Sequence, residues 1–187
     1  MFSSPQVARV VAECEALIAQ KDDAWSIDRA SAVFLHQLVM IKRAKTILEI
    51  GMSYGHSGLF LADAVSRHGG KLFTVEANEK KVAAAQKYFT EAGLDRVVTI
   101  LQGRAPEILS KAPEGIDLLF VDATKQEQQA YLDVIWPKLD AHAVIITDNV
   151  TTHAGEMAEY LKRLRTDPRL TSTLIPIGHG MELTVRL

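Results

Sequence analysis

Val7, Val10, Val11, Cys14, Leu17 and Ile18 recur every three or four positions through residues 5 to 20, which predicts an amphipathic helix near the start of the chain. After a connector around Trp25 to Asp28, Phe34, Leu35, Leu38 and Ile41 put an apolar stripe on a second helix over residues 30 to 41. The pattern then changes. TILEI is a short apolar run that stops at Gly51, so residues 46 to 50 read as the first strand. A helix over about residues 57 to 66 follows and is stopped by His68-Gly69-Gly70. KLFTVE is the second strand, and a helix over residues 80 to 92 closes at Gly93, the position where glycine ends helices. VVTILQG, IDLLFVD and AVIIT are the third, fourth and fifth strands. Between them, APEILSK predicts a short helix and residues 126 to 139 a longer one, with Pro137 in its last turn. A helix over residues 156 to 165 precedes LTSTLIPI and MELTVRL, two strands joined across Gly178-His179-Gly180.

Strands and helices thus alternate, and the first, fourth and fifth strands are apolar nearly throughout, as strands covered on both faces must be. The fold class is α/β, a doubly wound parallel sheet with an antiparallel hairpin at one edge. The chain's 187 residues suit one domain with a full core. A net charge of −2 opposes a global attraction to nucleic acid or anionic lipid. The one cysteine, Cys14, excludes an internal disulfide framework and fits a reducing, cytoplasmic setting. No apolar run approaches the roughly 20 residues of a membrane span, and Arg9, Glu13 and Glu15 interrupt any signal-peptide core.

In open α/β sheets ligands bind outside the carboxyl ends of the strands. Those ends carry Glu49 with the loop GMSYGHSG, Glu76, Gly103-Arg104-Ala105, Asp122 with Lys125 three residues on, and Asp148-Asn149. The loop spaces its glycines as Gly51, Gly55 and Gly58, which differs from the G-x-G-x-x-G that admits a pyrophosphate. The same spacing also fits a tight strand-to-helix turn without a ligand. Glu76 stands where an acidic side chain accepts hydrogen bonds from ribose hydroxyls, and equally where a solvated glutamate would stand. If the fourth and fifth strands are neighbours, Asp122, Asp148 and Asn149 converge as a hard, all-oxygen set that suits Mg²⁺. Local capping is the other reading, since Asp and Asn favour strand ends for that purpose. Near a bound cation and partly desolvated, Lys125 is a candidate general base.

His36 reads as a residue of a helix surface, His68 as a helix end and His142 as a loop residue. His56, His153 and His179 fall near the active face, but no pair has zinc-ligand spacing. Ser57 lacks the G-x-S-x-G elbow of a serine hydrolase.

Together, ILEIGMSYGHSG, FTVE, LQGRAPEIL, LLFVDATK and IITDNV resemble the metal-dependent class I O-methyltransferases, the group of catechol and caffeoyl-CoA O-methyltransferases and their bacterial relatives. The resemblance runs from about Trp25 to the C-terminus, and VDA-x-K followed about 26 residues later by Asp-Asn is its most specific part. It implies a Rossmann-like, mostly parallel seven-stranded sheet with helices on both faces, in one domain over residues 1 to 187 whose first 42 residues cover the site. It implies S-adenosylmethionine as co-substrate, with Gly51, Met52, Glu49 and Ser57 at the methionine end and the backbone near Ile27 closing over it. Glu76 would take the ribose hydroxyls, Arg104 and Ala105 would border the adenine, and Asp122 would touch both cofactor and metal. Asp122, Asp148 and Asn149 would hold Mg²⁺ or a similar ion, and Lys125 would act as base on a catechol-like acceptor. A homodimer is the expected assembly.

The chain departs from that pattern at several places. Thr124 and Gln128 replace an acidic residue and a tyrosine, with Tyr131 kept; Gly178-His179-Gly180 replaces Gly-Asp-Gly; and only TTHAG follows the Asp-Asn pair. The short N-terminal region and the short TTHAG imply an open acceptor pocket. A second reading moves the methyl group to hydroxylated uridine in tRNA, which the basic cluster Lys162, Arg163, Arg165 and Arg169 would serve, although the net charge opposes phosphate-driven binding. A nucleotide-binding oxidoreductase and a non-catalytic ligand-binding relative are the remaining alternatives.

Overall fold

The computed structural model describes residues 2–187. Two helices, α1 (Pro5–Ile18) and α2 (Arg29–Lys42), precede an alternation of β1 (Thr46–Ile50), α3 (His56–Ser66), β2 (Lys71–Glu76), α4 (Glu79–Glu91), β3 (Val98–Gln102) and β4 (Ile116–Val121). Then come α5 (Gln128–Ile135), β5 (Leu139–Thr147), α6 (Ala158–Thr166), β6 (Leu170–Ile175) and β7 (Met181–Arg186). Local chemistry sets the helix starts. Ser4 accepts from Val7 N at 3.2 Å with Pro5 in the first turn of α1, and Asp28 accepts from Ser31 N at 3.0 Å to open α2.

The strands form one sheet in the order β3-β2-β1-β4-β5-β7-β6. β3 to β5 are parallel, and β7 pairs antiparallel with both β5 and β6. The alternation along each strand sends side chains to two cores. Ile47, Leu118, Phe120, Val144 and Ile146 face α1 to α4, where they join Val10, Leu35, Phe60 and Phe89. Leu48, Ile50, Leu119, Val121 and Ile145 face the other way, to Leu132 and Ile135 of α5 and Leu161 and Leu164 of α6. Burying each such side chain contributes roughly 1.5–3 kcal/mol, which is why the central strands carry no polar face. No helix among the described residues is long and apolar enough to cross a membrane.

The structure corrects several expectations from the pattern. Residues 126 to 139 are not one helix: a 3₁₀ turn (Lys125–Glu127) leads into α5, and Pro137 sits in a second 3₁₀ turn (Trp136–Lys138). Leu139 already begins β5, four residues before the expected Ala143. The APEILSK segment is also 3₁₀, over Glu107–Lys111. His142 lies within β5, not in a loop; it takes φ 60° where the register against β4 shifts, as at a bulge. Ile41 shares the α2 stripe but is 80% exposed, because the core ends at Val39 and Ala44.

His36 is not on a helix surface. It is buried, and its Nε2 meets Asp63 Oδ2 of α3 at 3.0 Å. Asp63 is fully buried and also takes Ser3 N at 3.0 Å, the Ser3 hydroxyl and Arg67 Nη2 at 3.2 Å. One carboxylate thus joins the N-terminus, α2 and α3. Burial alone would raise its pKa, but the bonds from His36 and Ser3 and the charge of Arg67 outweigh that and lower it to about 2. The stability this shift contributes is present above the ordinary carboxylate pKa and lost as pH falls through about 2. Asp63→Asn is therefore expected to destabilise the fold at neutral pH by on the order of 2 kcal/mol. The gap from wild type should close as pH is lowered from about 4 toward 2 in denaturant titrations; a gap that stays constant with pH would refute the assignment.

Candidate active site

The chain order reverses between β1 and β4, and the candidate site lies beyond their carboxyl ends. The β1 turn is built for close approach. Gly51 takes φ +105°, and a Cβ on it would stand 2.3 Å from the backbone oxygen of Asp122. Gly51 N and Met52 N both donate to Val75 O, at 3.2 and 2.9 Å, so the turn is stitched to β2 as well. Gly55 and Gly58 let α3 start hard against α4, where Cβ atoms would meet Ala85 and Phe89 at 2.9 Å.

Past the strand ends the backbone bonding continues from strand to strand. Asp122 N donates to Ile50 O at 2.9 Å, and Asp148 N donates to Val121 O at 3.1 Å. The side chains of Asp122 and Asp148 are thereby delivered from adjacent strands to one wall. Asn149 follows with φ 64°, a left-handed conformation that asparagine tolerates better than most residues. Lys125 Nζ donates to Asp122 Oδ1 at 2.8 Å. Asp148 Oδ1 is buried and has no hydrogen-bond partner among the described residues. Burial first, then the charge of Asp122, pushes the pKa of Asp148 up to about 6. Burial also raises that of Asp122, against the pull of Lys125.

A cavity of about 700 Å³ opens over these residues. It gathers Gly51, Glu76, Arg104, Ala105, Asp122, Lys125, Asp148 and Asn149, all singled out from the sequence. Glu76 is held with one oxygen on Ser53 N at 2.9 Å and the other on Asn78 N at 2.8 Å. Arg104 pairs with Glu127, which also accepts from Tyr131 Oη at 2.7 Å. Four expected cofactor residues do not line the cavity: Ile27, Glu49, Met52 and Ser57 are buried outside its lining. Glu49 is completely buried and accepts from the hydroxyls of Ser57 and Thr74, each at 2.5 Å.

Sequence reasoning missed Ala24, Trp25 and Ser26, which line the cavity together with Lys81 and Glu127. Trp25 is 79% exposed. Its loop is clamped where Asp23 accepts from Tyr54 Oη at 2.9 Å and, through its backbone oxygen, from Lys81 Nζ at 2.6 Å. No strand-end rule points to this segment, since the α1–α2 loop belongs to no strand; a tryptophan in the connector between two helices was the available signal. The basic cluster on α6 and the segment just after it is largely engaged within the chain. Arg163 pairs with Asp133 at 2.5 Å, Arg165 with Glu182 and Arg169 with Asp167, each at 2.6 Å.

Among the described residues no set of three or more His, Cys, Asp or Glu side chains could hold a metal. The candidate donors are two carboxylates and one carboxamide, a hard oxygen set that leaves positions for water and ligand oxygens. The unpartnered, buried Asp148 oxygen beside a second carboxylate fits a cation at this place.

Glu49 permits a separate test. Its pKa is pushed up to about 7 by burial, with Asp122 and Glu76 adding to the rise and the two hydroxyls opposing it. Between the ordinary value of 4.5 and about 7 the folded chain holds a proton that the unfolded chain has lost, so stability falls as pH rises through that window. Glu49→Gln is expected to remove that part of the slope, on the order of 3 kcal/mol, in denaturant titrations from pH 4.5 to 7.5. Asp148 adds a slope of the same sign, which the variant retains. An unchanged profile would refute the buried, proton-holding role of Glu49.

Residues 4–187 match a family model described as O-methyltransferase. A Mycobacterium ulcerans protein whose name places it among the O-methyltransferases is 30% identical over 175 residues, covering 86% of this chain and 78% of that protein. The O-methyltransferase of Bacillus cereus, solved in complex with S-adenosylhomocysteine, superposes with a TM-score of 0.85 at 26% identity, covering 99% of this chain and 92% of that one. TomG of Streptomyces achromogenes, solved with S-adenosylmethionine, shares the fold at a TM-score of 0.85 and 24% identity, over 100% of this chain and 92% of its own.

Proposed function

The chain belongs to the O-methyltransferase family and is an S-adenosylmethionine-dependent O-methyltransferase, and from that premise we propose that it methylates one hydroxyl of a catechol-like vicinal diol with the help of a divalent cation such as Mg²⁺. The observation that carries the proposal is the convergence of Asp122 and Asp148 from adjacent strands, with one buried Asp148 oxygen unpartnered.

The residues divide the work along the sheet. Glu76, fixed by two backbone N–H groups, keeps lone pairs free for the ribose hydroxyls of the cofactor. Arg104 and Ala105 border its adenine, and the Gly51 turn admits its methionine end to the neighbourhood of Asp122. Asp122, Asp148 and Asn149 would hold the cation, which would supply Lewis acidity that makes a diol hydroxyl easier to deprotonate. Lys125 Nζ stands beside Asp122; as the neutral amine, with its own proton released to solvent, it takes the hydroxyl proton. The deprotonated oxygen attacks the sulfonium methyl in line: an O–C bond forms, the C–S bond breaks, and S-adenosylhomocysteine leaves. Opposite charges cancel in that step, so alignment of the two reactants is the chain's main contribution.

The test is methyl transfer from labelled cofactor to a catechol with and without a chelator, beside Mn²⁺ titration followed by its EPR signal. Asp148→Ala is expected to weaken Mn²⁺ binding and to lower kcat/KM on the order of 10³-fold. Lys125→Met should lower kcat by about 10²-fold. Wild-type rates and wild-type Mn²⁺ binding in Asp148→Ala would sink the metal assignment.

A further inference from the structure

Among the described residues, four acidic side chains line the cavity: Glu76, Asp122, Glu127 and Asp148. The reaction above uses three of them and leaves Glu127 idle. Glu127 ends the 3₁₀ turn that leads from β4 into α5. Its partner Arg104 follows β3, at the far end of the sheet order β3-β2-β1-β4. Those two strands are three spacings apart, roughly 14 Å. The ion pair therefore spans the carboxyl ends of β2 and β1, where Glu76 and the Gly51 turn stand. With the ribose on Glu76 and the adenine bordered by Arg104 and Ala105, as proposed above, the base lies against this bridge.

The Glu127 carboxylate is fixed from several sides. Its Oε1 accepts from Arg104 Nη2, and its Oε2 accepts from Tyr131 Oη at 2.7 Å. The Thr124 hydroxyl is a third donor to it. Arg104 is steadied in turn by Glu107 at 3.5 Å. Tyr131 is buried, and burial together with the bond to Glu127 pushes its pKa up to about 12, so the phenol remains a donor. The bond from Tyr131, then the bond and charge of Arg104, hold Glu127 below the ordinary carboxylate range. Glu127 is thus ionised at neutral pH and only accepts.

These bonds contribute little to stability, because the Arg104 side chain is 61% exposed and exposed ion pairs are weak. What they do is hold a half-buried carboxylate in one place on the cavity wall. A carboxylate offers about four acceptor sites, and three donors leave room for one more. Adenine carries its N–H donor, the 6-amino group, on the edge away from the ribose. We propose that Glu127 reads the base of the co-substrate by accepting a hydrogen bond from that 6-amino group, with Arg104 and Tyr131 as positioning residues. This rests on the placement of the adenine given above and does not depend on the diol or the cation.

The experiment measures, by calorimetry on the full chain, the affinities for S-adenosylhomocysteine and for its analogue in which hydrogen replaces the 6-amino group. The wild type is expected to prefer S-adenosylhomocysteine by about tenfold or more, as a hydrogen bond to a charged group gives. E127A should bring the two affinities close to equal. E127Q keeps an acceptor without the charge and should fall between. R104Q releases one tether of the carboxylate and should lower the preference by about threefold. The ratio is taken within each variant, so a loss of folded fraction does not move it. In methyl-labelled chain bound to S-adenosylhomocysteine, NOEs from the adenine ring protons to the Ala105 methyl report whether the base lies at this place. With those NOEs present, equal binding of the two ligands by the wild type, or a full preference retained in E127A and E127Q, overturns the inference and leaves the placement standing. Without them the placement fails, and the inference with it.

Discussion

The backbones of Gly51 and Asp122 approach so closely that no side chain fits between them, and the site depends on that approach. A Cβ at position 51 would sit 2.3 Å from the Asp122 oxygen, well inside any tolerable contact. The approach fixes the turn after β1 against the end of β4 at the place where the sheet changes direction. From there each strand end is tied to the next: Asp122 N to Ile50 O, and Asp148 N to Val121 O. The Gly51 turn, proposed to admit the cofactor, and the two carboxylates are therefore parts of one hydrogen-bonded unit. Methyl transfer needs donor and acceptor at near-contact distance, where small displacements are costly. A scaffold in which both sides of the reaction hang from the same ladder meets that need without relying on flexible loops.

That unit concentrates acidic groups in a place that disfavours them. Glu49, Asp122 and Asp148 are all raised in pKa, with burial the first cause in each, and the charges of Asp122 and Glu76 act on Glu49 as that of Asp122 acts on Asp148. Left to itself such a cluster opposes folding. What it favours is positive charge. Lys125 supplies one cation from the chain. The sulfonium of the co-substrate is another, and the divalent ion proposed for Asp122, Asp148 and Asn149 would be the third. The instability that the acids introduce into the free chain is thus the counterpart of affinity for the groups the reaction brings together, in keeping with the way binding energy stabilises a native state.

The fold was legible because its period is simple. Two-sided apolar strands alternating with helices left few arrangements open, and the strand-end rule then picked out Glu76, Arg104, Asp122, Asp148 and Asn149, all of which line one cavity. What the pattern could not show were contacts between segments far apart in the chain. His36 looked like a surface residue because its partner, Asp63, is 27 positions away on another helix. The start of β5 was hidden because Leu139 to His142 carry polar residues around a bulge, and the apolar run begins only at Ala143. Trp25 escaped because the loop holding it is positioned by Tyr54 and Lys81, two side chains that nothing in the local sequence connects to it.

The same distinction separates the two halves of the cavity. On the side of β1, β2 and β3, where the cofactor is proposed to lie, the groups are set by strand register and backbone bonds, so their places follow from where the strands end. Beyond β5 the wall comes from the turn after β5 and the turn before β7, which are bonded to each other and carry no strand register of their own. Their side chains are placed by a few polar contacts, chiefly Glu156 with His153 and Gln126. The Gly51 turn, by contrast, is held by backbone bonds to Val75 O. The chemistry proposed for Asp122 and Asp148 is thus anchored in the ladder of strand ends, whereas the wall beyond β5 is built from turns that lie outside it.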